Sequence, residues 1–153
     1  MTPVYHKILV PLENSDYDEA IVDHVARLAT LCRASLLLVH VADGWVARNF
    51  HQLSLRESEE MARDRGYLEG VAARMAAQGL SVESILAGGD PSREIVELAE
   101  REGCDLIAMS THGHRFLSDL LYGSVANSVR HRSTVPVLLV RGTPRDRRER
   151  PRA

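Results

Sequence analysis

The segment Met109-Ser110-Thr111-His112-Gly113-His114-Arg115, followed by Gly123-Ser124 with nine residues between the two glycines, carries the residue types that hold a phosphate. Glycine lets backbone amides approach an anion closely. A serine at a helix start adds a hydroxyl to the free amides and to the positive end of the helix dipole. Ordinary turns use the same glycines, so on residue chemistry alone a phosphate cradle and a pair of plain turns both remain open. Arg115 leaves a similar choice, because a guanidinium can grip phosphate oxygens in bidentate fashion or stand in solvent as a loop charge.

Other chemistries find less support. Thr111-His112-Gly113-His114 reproduces the [H/T]-x-G-H pattern in which histidines bind phosphates during adenylyl transfer. That pattern belongs after a first strand and needs a second basic motif, whereas here it follows the fourth apolar run and Lys7 is the only lysine. His112 and His114 stand two apart and would point in opposite directions on a strand, with no carboxylate or cysteine at suitable spacing, so no metal site is expected. His24 and His40 fall on apolar elements and read as packed or hydrogen-bonded core residues. No GxxxxGK[ST] loop occurs and no GxGxxG follows the first strand, which disfavours P-loop hydrolysis and dinucleotide redox chemistry. No general base is placed for phosphoryl transfer, so no catalytic residue is assigned and any hydrolysis of a bound phosphate ester or anhydride is expected to be slow at most.

The elements that must position these residues alternate regularly. Lys7-Ile8-Leu9-Val10, ended by Pro11, is a β-branched run suited to a central parallel strand. A helix follows, capped by Ser15 or Asp16, with Asp18 and Glu19 in its first turn and a stripe of Ile21, Val25, Leu28 and Cys32. Ser35 to Val41 is a second buried strand that opens into a loop at Ala42-Asp43-Gly44-Trp45. Leu55 to Gln78 is a helix with Met61, Leu68, Val71, Ala72 and Met75 on one side and Gly79 at its end. Ser81 to Leu86 alternates and reads as a strand nearer an edge. Asp90-Pro91 starts a helix with Ile95, Val96, Leu98 and Ala99 on its apolar face and Gly103 beyond it. Asp105 to Met109 is the fourth strand, a glycine- and histidine-bearing loop follows, Ser124 to Arg132 is helical, and Val135 to Val140 is the fifth strand. Strands alternating with helices predict a single-domain α/β fold, an open parallel five-stranded sheet with right-handed crossovers and helices on both faces. Ligands of such sheets bind at the carboxyl ends of the strands, so the loops from Pro11, Val41, Ala87 and Ser110 should border one crevice.

At 153 residues, 44% hydrophobic and 26% charged, the chain fits one domain with a core of its own. Cys32 and Cys104 form no CxxC pair and read as buried thiols of a reducing compartment. No apolar run approaches a membrane span and the first residues do not resemble a signal peptide, so a cytoplasmic protein without membrane contact is expected. The net charge of −2 divides into about +3 on the arginine-rich stretch Gly142–Ala153 and −5 elsewhere. Residues 142–153 are therefore expected to be a basic, solvated, disordered tail, and nucleic acid is not an expected partner.

From about Val4 to Arg141 the chain resembles the universal stress protein family. The resemblance rests on Ile8-Leu9-Val10-Pro11, Gly89-Asp90-Pro91, Asp105-Leu106-Ile107-Ala108-Met109 and Pro136-Val137-Leu138-Leu139-Val140. Nucleotide-binding members carry G-x2-G-x9-G-[S/T], which Gly113, Gly123 and Ser124 match, while Ser110 replaces the first glycine. Glu13 stands where the family often has an aspartate facing the nucleoside. The resemblance implies a Rossmann-like fold of the adenine nucleotide alpha hydrolase kind, strand order 3-2-1-4-5, in residues 1–141. It implies a regulatory stress-response module binding ATP with Mg²⁺ or Mn²⁺. Pro11, Leu12, Glu13 and Val41 would line the adenine and ribose, and Met109, Ser110 and Gly113 would border ribose and phosphates. His114 and Arg115 would lie beside them, and Gly123, Ser124 and Val125 would present backbone donors. It further implies a homodimer built through the last strand, which Val137 to Val140 permit as an apolar edge in need of a cover, and a protein partner of unknown kind. The other readings are a family member without nucleotide binding, acting as a dimeric interaction or protective protein, and, less favoured, a nucleotidyl-transferring enzyme.

Overall fold

The computed structural model describes residues 2–42, 54–112 and 117–142. The chain runs β1 (Lys7–Pro11), α1 (Asp18–Cys32), β2 (Ser35–Ala42), α2 (Ser54–Ala76), β3 (Val82–Gly88), α3 (Pro91–Arg101), β4 (Leu106–His112), α4 (Leu117–Arg132) and β5 (Val137–Gly142). All strand pairs are parallel and the sheet order is β3-β2-β1-β4-β5, as expected. β1 is central, and its Ile8, Leu9 and Val10 are fully buried.

Because alternate side chains of a buried strand point to opposite faces, each central strand feeds two cores. Ile8, Val10, Leu36, Leu38, Leu106 and Ala108 pack with Ile21, Val22 and Val25 of α1 and Leu68, Val71 and Met75 of α2. Leu9, Leu37, Val39, Ile107 and Met109 pack on the other face with Ile95, Leu98 and Ala99 of α3 and Ala126 and Val129 of α4. Asp90 caps α3 by accepting the Arg93 amide at 2.9 Å, with Pro91 in the first turn. Gly79 and Gly103 leave α2 and α3 in left-handed conformation. Among the described residues no helix is long and apolar enough to cross a membrane.

Four boundaries differ from the sequence reading. Neither Ser15 nor Asp16 caps α1: the N-cap is Tyr17, which makes no side-chain cap bond, and the Ser15 hydroxyl instead accepts the Tyr17 amide at 3.3 Å. β4 runs on to His112 because Ser110, Thr111 and His112 pair with Val140, Arg141 and Gly142. α4 begins at Leu117, so Gly123, Ser124 and Val125 lie inside the helix, where a backbone amide ordinarily bonds the carbonyl four residues before it. Gly142, read as the first residue of a tail, is the last residue of β5.

Candidate functional site

The pairing of β1 with β4 decides where a ligand has room. The sheet order reverses at this pair, and the ladder holds only Ile8↔Leu106 and Leu9↔Ile107, whereas β2 and β3 pair from Leu36↔Val82 to Ala42↔Gly88. Beyond Leu9 the two strands carry no further pairs, and in open parallel sheets the crevice at the carboxyl ends of such a pair is the usual ligand position.

On the β1 side the crevice is bordered by a loop held by one carboxylate. Asp18, 2% exposed, accepts the amides of Glu13 (3.1 and 3.2 Å), Asn14 (2.9 Å) and Ser15 (3.3 Å). Its position at the amino end of α1 also places the negative charge at the positive pole of the helix. Tyr67 of α2 donates its hydroxyl to the same carboxylate, and burial, followed by this hydrogen bond, pushes the phenol well above its ordinary range. Asn14 takes φ +61°, a conformation asparagine tolerates better than most residues. Glu13 Oε2 accepts the Ser15 hydroxyl at 3.3 Å, so the carboxylate at the family's aspartate position is drawn into its own loop.

The remaining predicted residues divide between the faces. Leu12 is 3% exposed and packs in the α1/α2 core, so its backbone is what it offers the crevice. Val41 and Val125, half buried, pack on the α3/α4 core with Met109. Pro11 ends β1 half buried, and Ser124 is exposed. Ser110 alternates with Met109 and therefore turns toward α1, with its hydroxyl beside Gly142 and Tyr17 and, among the described residues, without a hydrogen-bond partner. The side chain that departs from the glycine pattern thus adds its volume to the α1 side of β4. Gly113, His114, Arg115 and Trp45 lie outside the described residues, as do residues 143–153; Gly123 is placed by its backbone only.

Four residues of this region were not singled out for it from the sequence. Asp18 read only as a first-turn acid, and Asn14, Asp64 and Tyr67 gave no signal, because Tyr67 meets Asp18 across 49 positions and Asn14 meets Asp64 across 50. His40, read as a core residue, approaches the Leu12 carbonyl with Nδ1 at 2.9 Å and Asp64 with Nε2 at 3.4 Å. Among the described residues no group of three or more His, Cys, Asp or Glu could hold a metal ion.

The sequence profile of the universal stress protein family matches residues 4–141. This chain belongs to the universal stress protein family. Universal stress protein MJ0577 of Methanocaldococcus jannaschii is 31% identical over 92% of this chain and 98% of its own length. The solved MJ0577 structure superposes with a TM-score of 0.76, covering 91% of this chain and 97% of that one. Two more distant family members share the fold. One, from Archaeoglobus fulgidus and in complex with dAMP, is 21% identical with a TM-score of 0.67 over 89% of this chain and 98% of that one. The other, in complex with cAMP, is 24% identical with a TM-score of 0.66 over 89% and 96% of the two chains.

Proposed function

We propose that this universal stress protein is a cytoplasmic nucleotide-binding regulatory module that takes ATP in the β1/β4 crevice and works as a homodimer. The observation that carries the reading is the loop after β1, whose Glu13, Asn14 and Ser15 amides are all tied to buried Asp18 beside the point where β1 and β4 stop pairing. A loop ordered before the ligand arrives lowers the entropic cost of binding. Family proteins of the same fold were solved with dAMP and with cAMP, which supports an adenine nucleotide as the ligand class.

In this reading Pro11, the Leu12 backbone, Glu13 and Val41 meet the adenine and ribose. Met109, Ser110, Gly113, His114 and Arg115 border the ribose and phosphates, and Gly123, Ser124 and Val125 complete the phosphate end. Mg²⁺ or Mn²⁺ would arrive with the phosphates, held chiefly by their oxygens. Occupancy would be passed to a protein partner, with hydrolysis slow at most. β5 is an edge strand with Leu139 41% exposed, which suits pairing with a second copy across a two-fold axis.

The test is calorimetric titration of ATP and Mg²⁺ into protein stripped of nucleotide, alongside Gly123→Val. Valine inside a helix costs no more than glycine does, so the variant should fold and lose ATP by crowding the phosphates. Micromolar binding, roughly −8 kcal/mol, that disappears in the variant supports the reading. Absence of binding in the parent protein favours the other reading, a dimeric interaction protein without nucleotide, for which Ser110 in place of the first glycine speaks.

A further inference from the structure

Asp64 is a carboxylate with only 13% of its side chain exposed, and among the described residues no lysine or arginine pairs with it. A buried charge of this kind is costly unless its oxygens are engaged, and an apolar residue on the inner side of α2 would pack at lower cost. Both oxygens of Asp64 are directed at the far side of the crevice loop. Oδ1 accepts the Asn14 side-chain amide at 3.1 Å, and Oδ2 stands 3.4 Å from His40 Nε2. His40 in turn reaches the Leu12 carbonyl through Nδ1 at 2.9 Å.

Leu12 and Asn14 flank Glu13 on either side. Asp18 holds the amides of the loop from below, but it leaves the Leu12 carbonyl and the Asn14 side chain untouched; those two are taken by the Asp64–His40 pair. We propose that Asp64 is a positioning residue for the nucleoside end of the site, acting through Asn14 and His40 to fix where Glu13 stands. This rests on the nucleotide reading and adds the chemistry of the part recognised: the ribose and base depend on Asp64, and the phosphates do not.

The proton inventory of His40 supplies a conservative variant. A carbonyl only accepts, so Nδ1 carries hydrogen, and Nε2 then faces a carboxylate that also only accepts. Donation at both contacts therefore needs hydrogen on both ring nitrogens. In Asp64→Asn the new amide can donate to the Nε2 lone pair of a neutral ring while its oxygen still accepts from Asn14, so the arrangement is retained. In Asp64→Ala both contacts are lost.

The experiment is calorimetry of the parent protein, Asp64→Ala and Asp64→Asn with adenosine, ATP and inorganic tripolyphosphate. Asp64→Ala should weaken adenosine and ATP about tenfold through lost pre-organisation, leave tripolyphosphate unchanged, and be largely reversed in Asp64→Asn. Equal losses for all three ligands, or no loss in Asp64→Ala, would overturn the proposal. If the parent protein binds no nucleotide, the ATP reading fails, and amide hydrogen exchange in the ligand-free protein decides the positioning role separately. Faster exchange at Glu13 and Asn14 in Asp64→Ala, restored in Asp64→Asn, supports it; unchanged rates refute it.

Discussion

Ser110 keeps its hydroxyl 2.6 Å from the point where a methyl group on Gly142 would stand, with Tyr17 Cβ and Cδ1 3.2 Å from the same point. The side chain present at one position therefore occupies the space left by the side chain missing at the other. Gly142→Ala should cost about 1–3 kcal/mol in urea unfolding, because an added methyl in a filled space forces neighbours aside. Adding Ser110→Gly to that variant should recover most of the loss, and a double-mutant cycle with near-zero coupling would show that the two sites are independent. Asp18 sits in a different kind of dependence, since three amides and a phenol rely on its two oxygens. Removing an acceptor from buried donors leaves them unsatisfied, so Asp18→Ala should destabilise by roughly 2–4 kcal/mol. Far-UV circular dichroism through a thermal scan would read it, and a melting temperature equal to that of the parent would contradict the assignment. Little of this was readable from residue order: an aspartate in a first helical turn is expected to interact with the dipole, and nothing local says that it reaches back to organise the preceding loop.

Elements were more readable, and their ends less so. The two-sided core of β1 and β2 follows from unbroken apolar runs, and the α3 stripe of Ile95, Val96, Leu98 and Ala99 is buried as its spacing predicts. β4 was cut short at Met109 because the apolar signal ends there, although Ser110, Thr111 and His112 continue the ladder with β5. Polar residues at the carboxyl end of a parallel strand carry no periodicity of their own, yet that end is where ligands sit. α4 was started late for a related reason: Gly123 reads as punctuation, but in the folded chain it is an interior helix residue. The amino ends of β1 and β4 hold a more testable feature. Asp105 accepts the His6 amide at 2.8 Å and the Lys7 amide at 3.1 Å. Its partial burial alone would raise the carboxyl, but these bonds and the His6 side chain outweigh that and hold it below its ordinary range. A depressed carboxylate contributes stability above the ordinary pKa of about 4 and loses it as the pH falls through the folded value. Melting temperatures of the parent and Asp105→Asn should therefore differ at pH 7 and converge in acid, and a gap that persists at low pH would mean that the charge is not the cause.

At the scale of the molecule, burial sorts the two cysteines. Cys104 is 5% exposed, and its thiol is pushed up to about 11, chiefly by burial. Cys32 is half buried. A disulfide reagent at neutral pH should label Cys32 first and reach Cys104 at the rate of unfolding, so fast modification of Cys104 would be inconsistent with this core. The proposed dimer predicts that Leu139→Lys yields a monomer by light scattering, whereas an unchanged mass would place the interface away from β5. The sheet also has an uneven construction. One plate is β3-β2-β1 and the other β4-β5, joined by the Ile8↔Leu106 and Leu9↔Ile107 pairs together with Asp105 at one end of the seam. α1 leaves the first plate and lies against β4 and β5 of the second. In mechanical terms this is a short weld at one end and a strap across each face: a wedge driven into the open end would pivot the plates about the weld, with the load shared by α1 on one face and the packed pair α3 and α4 on the other.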